Sequence, residues 1–216
     1  PLRKIQTFIS RLEGKELDNL SDNGKLYIDR IKTSASRMRS LIDDLLQYSR
    51  TNRSETSMEL SNINELIDTA KHDLAEVIEE KKAVISVDIL PEMKVIPFQI
   101  KQLFLNLISN SLKYSKEDVP PVITITYSKT KVSQMPWVKS VRHKSYHTIT
   151  VSDNGIGFDP SYAEKIFVLF NRLHSKGTYS GTGIGLSICK KIMTNHNGFI
   201  QAEGTLNEGA TFTVYL

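Results

Sequence analysis

The sequence predicts an α+β chain, a helical hairpin followed by a domain that mixes helices with strands. Three observations lead there. From Lys25 to Arg50 apolar residues recur at threes and fours, over a length that suits one long helix. Beyond Ala83, several short segments alternate apolar with polar residues, as half-buried strands do. Among those segments lies QLFLNLISNSLKYS, Gln102 to Ser115, where the apolar residues return at helical spacing instead.

Composition narrows the class. The chain has 216 residues, 39% hydrophobic and 24% charged, which suits a packed domain plus a smaller helical piece and excludes a disordered chain. No run approaches the roughly 20 apolar residues that cross a bilayer, and no signal peptide is visible. Cys189 stands alone, so no internal disulfide is expected and a cytoplasmic setting is. Its place on an apolar helix face predicts a packed small hydrophobe rather than a reactive thiol. A net charge of +4 accommodates an anionic ligand without calling for nucleic acid.

The elements follow in order. Leu2, Ile5, Ile9 and Leu12 show helical spacing from the start, and Pro1 is no initiator Met, so the chain reads as a fragment that begins inside a longer helix. Glu13 to Asn23, polar and flanked by Gly14 and Gly24, predicts a helix–helix connection. The next stripe runs Ile28, Ile31, Ala35, Met38, Ile42, Leu45 and Ser49, with Leu41 and Leu46 beside it. One partner helix of a dozen residues cannot cover it. Two hairpins in a four-helix bundle can, which predicts a homodimer; packing on the chain's own second domain is the alternative. The hairpin is assigned to residues 1–53 and the second domain to 54–216, with Ser54 to Ser57 as linker.

In the second domain, Glu59 to Ser61 reads as a short strand. Asn62 or Asn64 caps a helix over Glu65 to Lys81, whose buried stripe is Leu66, Ile67, Ala70, Leu74, Val77 and Ile78. Ala83 to Ile89 is a strand, Pro91 and Pro97 bracket a connection, and the next helix begins near Phe98. Pro120 and Pro121 stop it. Val122 to Tyr127 and Tyr146 to Val151 pair as strands across a long connection carrying Lys129, Lys131, Lys139, Arg142, His143 and Lys144 around Trp137. That connection reads as a solvated excursion, with a grip on an acidic partner or nucleic acid as the alternative. Phe199 to Glu203 and Thr211 to Leu216 close the sheet, turning through Asn207, Glu208 and Gly209.

Three stretches carry chemistry. In the Gln102–Ser115 helix, Asn106, Asn110, Lys113 and Tyr114 share one face, while Phe104, Leu107, Ile108 and Leu112 face a core. Carboxamide oxygens suit Mg²⁺, an ammonium suits phosphate, and a phenol can lie beside a base; a polar outer face with a chance Asn pair is the plainer alternative. The stretch VSDNGIGFD, Val151 to Asp159, ends a strand and delivers Asp153 to a glycine-rich turn. Asp153 is either a ligand for the base or the cap of that turn; Phe158 is packing. The stretch SGTGIGLSICKKI, from Ser180, sets Gly181, Gly183 and Gly185 before an apolar helical pattern, bringing backbone N–H groups and a positive helix end to an anion. The spacing fits neither a Walker loop nor G-x-G-x-x-G.

These three stretches resemble the N, G1 and G2 boxes of sensor histidine kinases, in family order. Lys165 to Arg172, KIFVLFNR, resembles the F box between the last two. The run FNRLHSKGTYSGTGIGLSICKKI is most similar to the phytochrome-like, PAS-linked branch, and the first fifty residues resemble its dimerisation and phosphotransfer hairpin. The resemblance covers nearly the whole chain and implies a Bergerat-fold α/β sandwich with a mixed sheet. It implies ATP and Mg²⁺ as ligands and a response-regulator receiver domain as partner. It implies that Asp153 contacts adenine, with Gly155 and Gly157 close to base and sugar. It implies that Asn110 holds the metal, while Asn106 shares that metal or orients the attacking histidine. Lys113 and Tyr114 complete the N-box contact, and Gly181, Thr182, Gly183, Gly185 and Leu186 the G2 contact. Asn171 to Ser180 becomes a lid anchored by Ile166, Phe167 and Phe170, with Arg172 and Lys176 reaching phosphate and His174 given no chemistry. The family's acceptor pattern, H-[DE]-L-x-x-P-L, is matched only in its tail by Pro1-Leu2, so the acceptor is expected upstream of Pro1. His72, in His72-Asp73-Leu74, imitates the pattern's start and is expected to face solvent. Related ATPases that use water carry a glutamate base at the position of Asn106. An amide takes no proton, so the resemblance favours a kinase over a Bergerat ATPase of the motor kind or a non-catalytic nucleotide sensor.

Overall fold

The computed structural model describes residues 1–52, 57–135, 144–171, 173 and 181–216. Helix α1 (Leu2–Glu16) runs back along α2 (Asp22–Asn52), with Ile9, Ile28 and Ala35 buried between them. Lys32 Nζ meets the Glu13 carboxylate at 2.8 Å across the pair. The connection is shorter than predicted. One turn of 3₁₀ helix, Leu17–Asn19, joins the helices, and Gly14 and Gly24 both lie inside them. A polar helix surface and a polar loop have the same composition, so the sequence pattern did not separate them. The apolar stripe divides. Leu41 packs against the core of the second domain, while Ile31, Met38, Ile42 and Leu45 are exposed, as are Ile5 and Phe8 on α1.

The second domain begins with β1 (Glu59–Asn62) and α3 (Ile63–Asp73). Asn62 is the cap: its Oδ1 accepts from the backbone N–H of Asn64 at 3.1 Å and of Glu65 at 3.4 Å. Asn64 instead ties the helix start to the segment Asp88 to Leu90, donating to Asp88 O at 2.8 Å and accepting from Leu90 N at 2.9 Å. The single helix predicted over Glu65 to Lys81 breaks at Leu74, where φ is −109° and ψ 9°, and resumes as α4 (Ala75–Glu80). Ile67 and Ala70 are buried and Leu66, Leu74 and Ile78 partly so, but Val77 is exposed. The apolar spacing continues across the break and so hides it.

The remaining elements are β2 (Val84–Val87), β3 (Glu92–Val95), α5 (Pro97–Lys113), β4 (Val122–Lys131), β5 (Ser145–Asp153), α6 (Gly185–Asn195), β6 (Phe199–Thr205) and β7 (Gly209–Tyr215). The strand predicted over Ala83 to Ile89 is shorter. The connection between the prolines contains β3, which pairs antiparallel with β1 and buries Met93 and Val95. The main sheet has the order β2-β4-β5-β7-β6, with β2 parallel to β4 and every other pair antiparallel. It is the mixed sheet of the expected sandwich. Ile123, Ile125, Ile149, Val151, Phe212 and Val214 on its inner face share one core with Leu103, Phe104, Leu107 and Ile108 of α5 and Ile188 and Ile192 of α6. The opposite face is hydroxylic, with Thr126, Thr150 and Thr213 in register.

The β4–β5 ladder extends past the predicted strand ends, so Lys129 and Lys131 are strand residues rather than loop residues. Trp137, Lys139, Arg142 and His143 lie outside the described residues, as do Ser54 to Thr56 of the linker. Likewise β7 starts at Gly209, and the closing turn is Leu206 to Glu208.

Candidate functional site

Two cavities share a wall formed by Asn110, Tyr114, Ile166, Asn171 and Leu186. The first, of about 90 Å³, is mostly apolar, with Phe158, Ile166 and Phe212 around one carboxylate, Asp153. The second, of about 290 Å³, is lined by Asn106, Lys113, Gly181, Thr182, Gly183 and Gly185. One helix, α5, feeds both: its apolar flank is fixed in the core, which turns Asn106, Asn110 and Lys113 toward the cavities.

Strand β5 places Asp153 opposite Ile123 at the sheet's end. The carboxylate is held on both oxygens. Oδ1 accepts from Gly155 N at 2.9 Å and Ala210 N at 3.2 Å, and Oδ2 accepts from Ser111 Oγ at 2.9 Å. Such donors hold a carboxylate in one orientation. A Cβ on Gly155 would stand 2.5 Å from Tyr114 O. Gly157 has φ of 60°, and a Cβ there would overlap the carbonyl oxygens of Thr205 and Gly209, so the turn takes only glycine. Phe158 is buried against Gly204, the packing role expected of it.

At the other end, α6 starts at Gly185 and no side chain caps it. Free N–H groups and the helix dipole therefore face the larger cavity. Lys113 Nζ donates to Tyr114 Oη at 2.8 Å, lies 4.4 Å from that ring's centre, and would sit 2.6 Å from a Cβ on Gly181, where φ is 139°. The Asn110 side chain lines both cavities and has no hydrogen-bond partner among the described residues. Asn106 is committed: its Oδ1 accepts from Gln102 Nε2 at 3.0 Å and its Nδ2 donates to Gly185 O at 3.2 Å, tying α5 to the start of α6.

Of the lid anchor, Ile166 and Phe167 are buried, but Phe170 is 59% exposed with φ of 63°. Its N–H donates to Gly183 O at 3.0 Å, so the backbone rather than the ring ties it to the glycine run. Arg172, His174 and Lys176 lie outside the described residues. His72 is exposed on the last turn of α3, as expected. Cys189 is fully buried under α5, and burial pushes its thiol up to about 12.

Sequence reasoning missed three residues here. Ser111 and the Ala210 amide position Asp153; Ser111 sits beside Asn110 on α5, but a serine among leucines carries no signal of its own. The third is Asp44 of α2, which lines the larger cavity from the hairpin and accepts a hydrogen bond from Thr182 Oγ1.

Residues 96–216 match the family described as histidine kinase-, DNA gyrase B-, and HSP90-like ATPase. Residues 1–54 match the His Kinase A (phospho-acceptor) domain. The chain belongs to the histidine kinase-, DNA gyrase B-, and HSP90-like ATPase family. Among the relatives of this chain are Phytochrome-like protein Cph1 of Synechocystis sp. and Cyanobacterial phytochrome A of Nostoc sp. Each is 36% identical over 212 residues, which is 98% of this chain and 26% of theirs. The chain thus spans about a quarter of the length of these curated relatives. The catalytic domain of histidine kinase ThkA superposes with a TM-score of 0.56 at 26% identity, covering 74% of this chain and 95% of that one. Full-length ShkA in complex with AMPPNP superposes with a TM-score of 0.67 at 21% identity, covering 100% of this chain and 42% of that one, a likeness of fold. ThkA in complex with response regulator protein TrrA gives 0.62 at 24% identity, covering 100% and 58%. Among the described residues, no helix is long and apolar enough to cross a membrane.

Proposed function

We propose that this chain is the core of an ATP-dependent protein-histidine kinase acting as a homodimer in a cytoplasmic two-component system. In this reading residues 1–53 are the dimerisation hairpin and 54–216 the ATP-binding domain. The carrying observation is that one carboxylate, one carboxamide without a partner among the described residues and one helix start without a side-chain cap among them surround two joined cavities. The residues fit Mg²⁺ and ATP. Asp153 accepts from the adenine amino group; a guanine carbonyl there would leave two acceptors facing. The Asn110 oxygen is a hard ligand suited to Mg²⁺, which when bound neutralises charge on the phosphates. Lys113, Thr182 and the amides from Gly181 to Leu186 take the phosphate oxygens. Asn106 lines the phosphate end and holds the start of α6 to α5, its amide donating to Gly185 O while its oxygen accepts from Gln102 Nε2. Arg172 and Lys176 belong to the lid in this reading.

The protein's share of phosphoryl transfer is alignment and charge stabilisation. The bond from the γ-phosphorus to the bridging oxygen of ADP breaks, and a bond to an imidazole nitrogen forms. Residues 1–53 contain no histidine. The acceptor in this reading precedes Pro1, as the Pro1-Leu2 tail of the family pattern implies. The phosphoryl group then passes to an aspartate of a response-regulator receiver domain; the complex of ThkA with its regulator, in a chain of this fold, supports that step.

Calorimetric titration tests the reading. ATP binds, more tightly with Mg²⁺ than without, and GTP binds about ten- to a hundredfold more weakly, the cost of a mismatched buried acceptor. Absence of binding with Mg²⁺ present sinks it. Transfer of label from ATP to a chain extended upstream to the acceptor tests the kinase step. The present chain takes no label; acid-labile phosphate on His72 would overturn that assignment.

A further inference from the structure

Asp44 has no place in the chemistry above, yet it stands inside the site. It projects from α2 of the hairpin and lines the larger cavity with Asn106, Asn110 and Lys113. Its carboxylate accepts from Thr182 Oγ1, just ahead of the uncapped start of α6. An anion is stabilised there by the helix dipole and the free N–H groups, the same features that suit a phosphate. It is half-buried and makes no ion pair with a described residue; the Lys113 ammonium in the same cavity bonds Tyr114 instead. Leu41, one turn earlier on the same face of α2, packs into the core of the second domain. Two contacts, one apolar and one anionic, therefore seat the hairpin over the phosphate end.

We propose that Asp44 is an internal stand-in for phosphate: a polyphosphate and the Asp44 carboxylate exclude one another, so filling the site releases α2 from α6. The inference rests on the reading of the two cavities as an ATP site, and it adds a residue that sets affinity for the phosphates while leaving the base alone. The competition is between like charges at one set of donors. Adenosine fills only the smaller cavity, which Asp44 does not line, and leaves the contact in place. The apparent ATP affinity is lowered by the fraction of molecules in which Asp44 is seated. A seated fraction of about 90% costs about tenfold.

The test compares Mg·ATP and adenosine binding to the whole chain and to Asp44→Ala and Asp44→Asn, both helix-compatible changes at a half-buried position of α2. ATP binds each variant about tenfold more tightly, and adenosine binds all three proteins equally. A spin-label pair at Ser40→Cys and Lys190→Cys, both exposed positions on α2 and α6, moves apart on addition of Mg·ATP but not of adenosine. ATP affinity that is unchanged in the variants overturns the role of Asp44 and leaves the ATP site standing. Weaker ATP binding also overturns it, by showing Asp44 to be a ligand of the metal. Failure of every protein to bind either compound overturns the ATP site and this inference together.

Discussion

At the scale of single residues, the site depends on how firmly one carboxylate is held. Asp153 was legible because a strand that ends in Asp-Asn-Gly-Ile-Gly can do little else than present it. Its supports were not, because a serine hydroxyl and a backbone amide from the far end of the chain carry no mark in sequence. Asp153→Asn should weaken ATP binding about ten- to a hundredfold, with the fold intact by circular dichroism. Ser111→Ala leaves one oxygen with one fewer donor and should cost about 0.5–1.5 kcal/mol in the same titration. The sole thiol offers an independent check on packing. Burial holds Cys189 protonated, up to about 12, so iodoacetamide at pH 8 should leave it unmodified in the native chain and label it once the chain unfolds.

At the scale of elements, α5 and α6 are joined at both ends. Near the two cavities, Asn106 bridges to Gly185. At the opposite end, Ile96 N donates to His196 Nε2 at 2.9 Å, so the ring's proton is on Nδ1, which faces Ile192 O at 2.8 Å. Burial lowers the pKa of His196 from its ordinary value. The sign follows. Below about pH 6.5 the unfolded chain takes up a proton that the folded chain resists. Stability from this group is complete above the unfolded pKa and falls as pH drops toward the folded one. His196→Gln should flatten the melting temperature against pH between pH 7 and 5, relative to the parent chain. In the core, Leu107→Ala should cost about 2–5 kcal/mol in urea unfolding, since Leu107 is fully buried between the sheet and the helices. Helices α5 and α6 were readable because each sets a wide apolar face against polar residues. The break at Leu74 and strand β3 were not: the first keeps helical spacing through a non-helical residue, and the second is four residues between prolines.

At the scale of the molecule, the hairpin shows a long apolar face whose pattern was plain in sequence and whose partner was not. Ile31 is 51% exposed and Leu45 52%, and each lies on a helix whose polar residues cover only part of it. If two hairpins close on each other, Ile31→Glu with Leu45→Glu should convert a dimer into a monomer in sedimentation while leaving ATP affinity per chain within about twofold.

The strand order also bears on how the protein comes into being. The last strand in the chain, β7, is not at a border of the sheet but is wedged between β5 and β6. It also brings Ala210 and Phe212, which wall the smaller cavity, and the amide that steadies Asp153. During synthesis on a ribosome, β6 has nothing to join until those final residues leave the exit tunnel. The pairing of α1 with α2, by contrast, joins neighbours in sequence and can form while translation continues, before α2 meets α6. If two hairpins close on each other, a nascent chain is therefore free to find its second copy before the smaller cavity has all its walls.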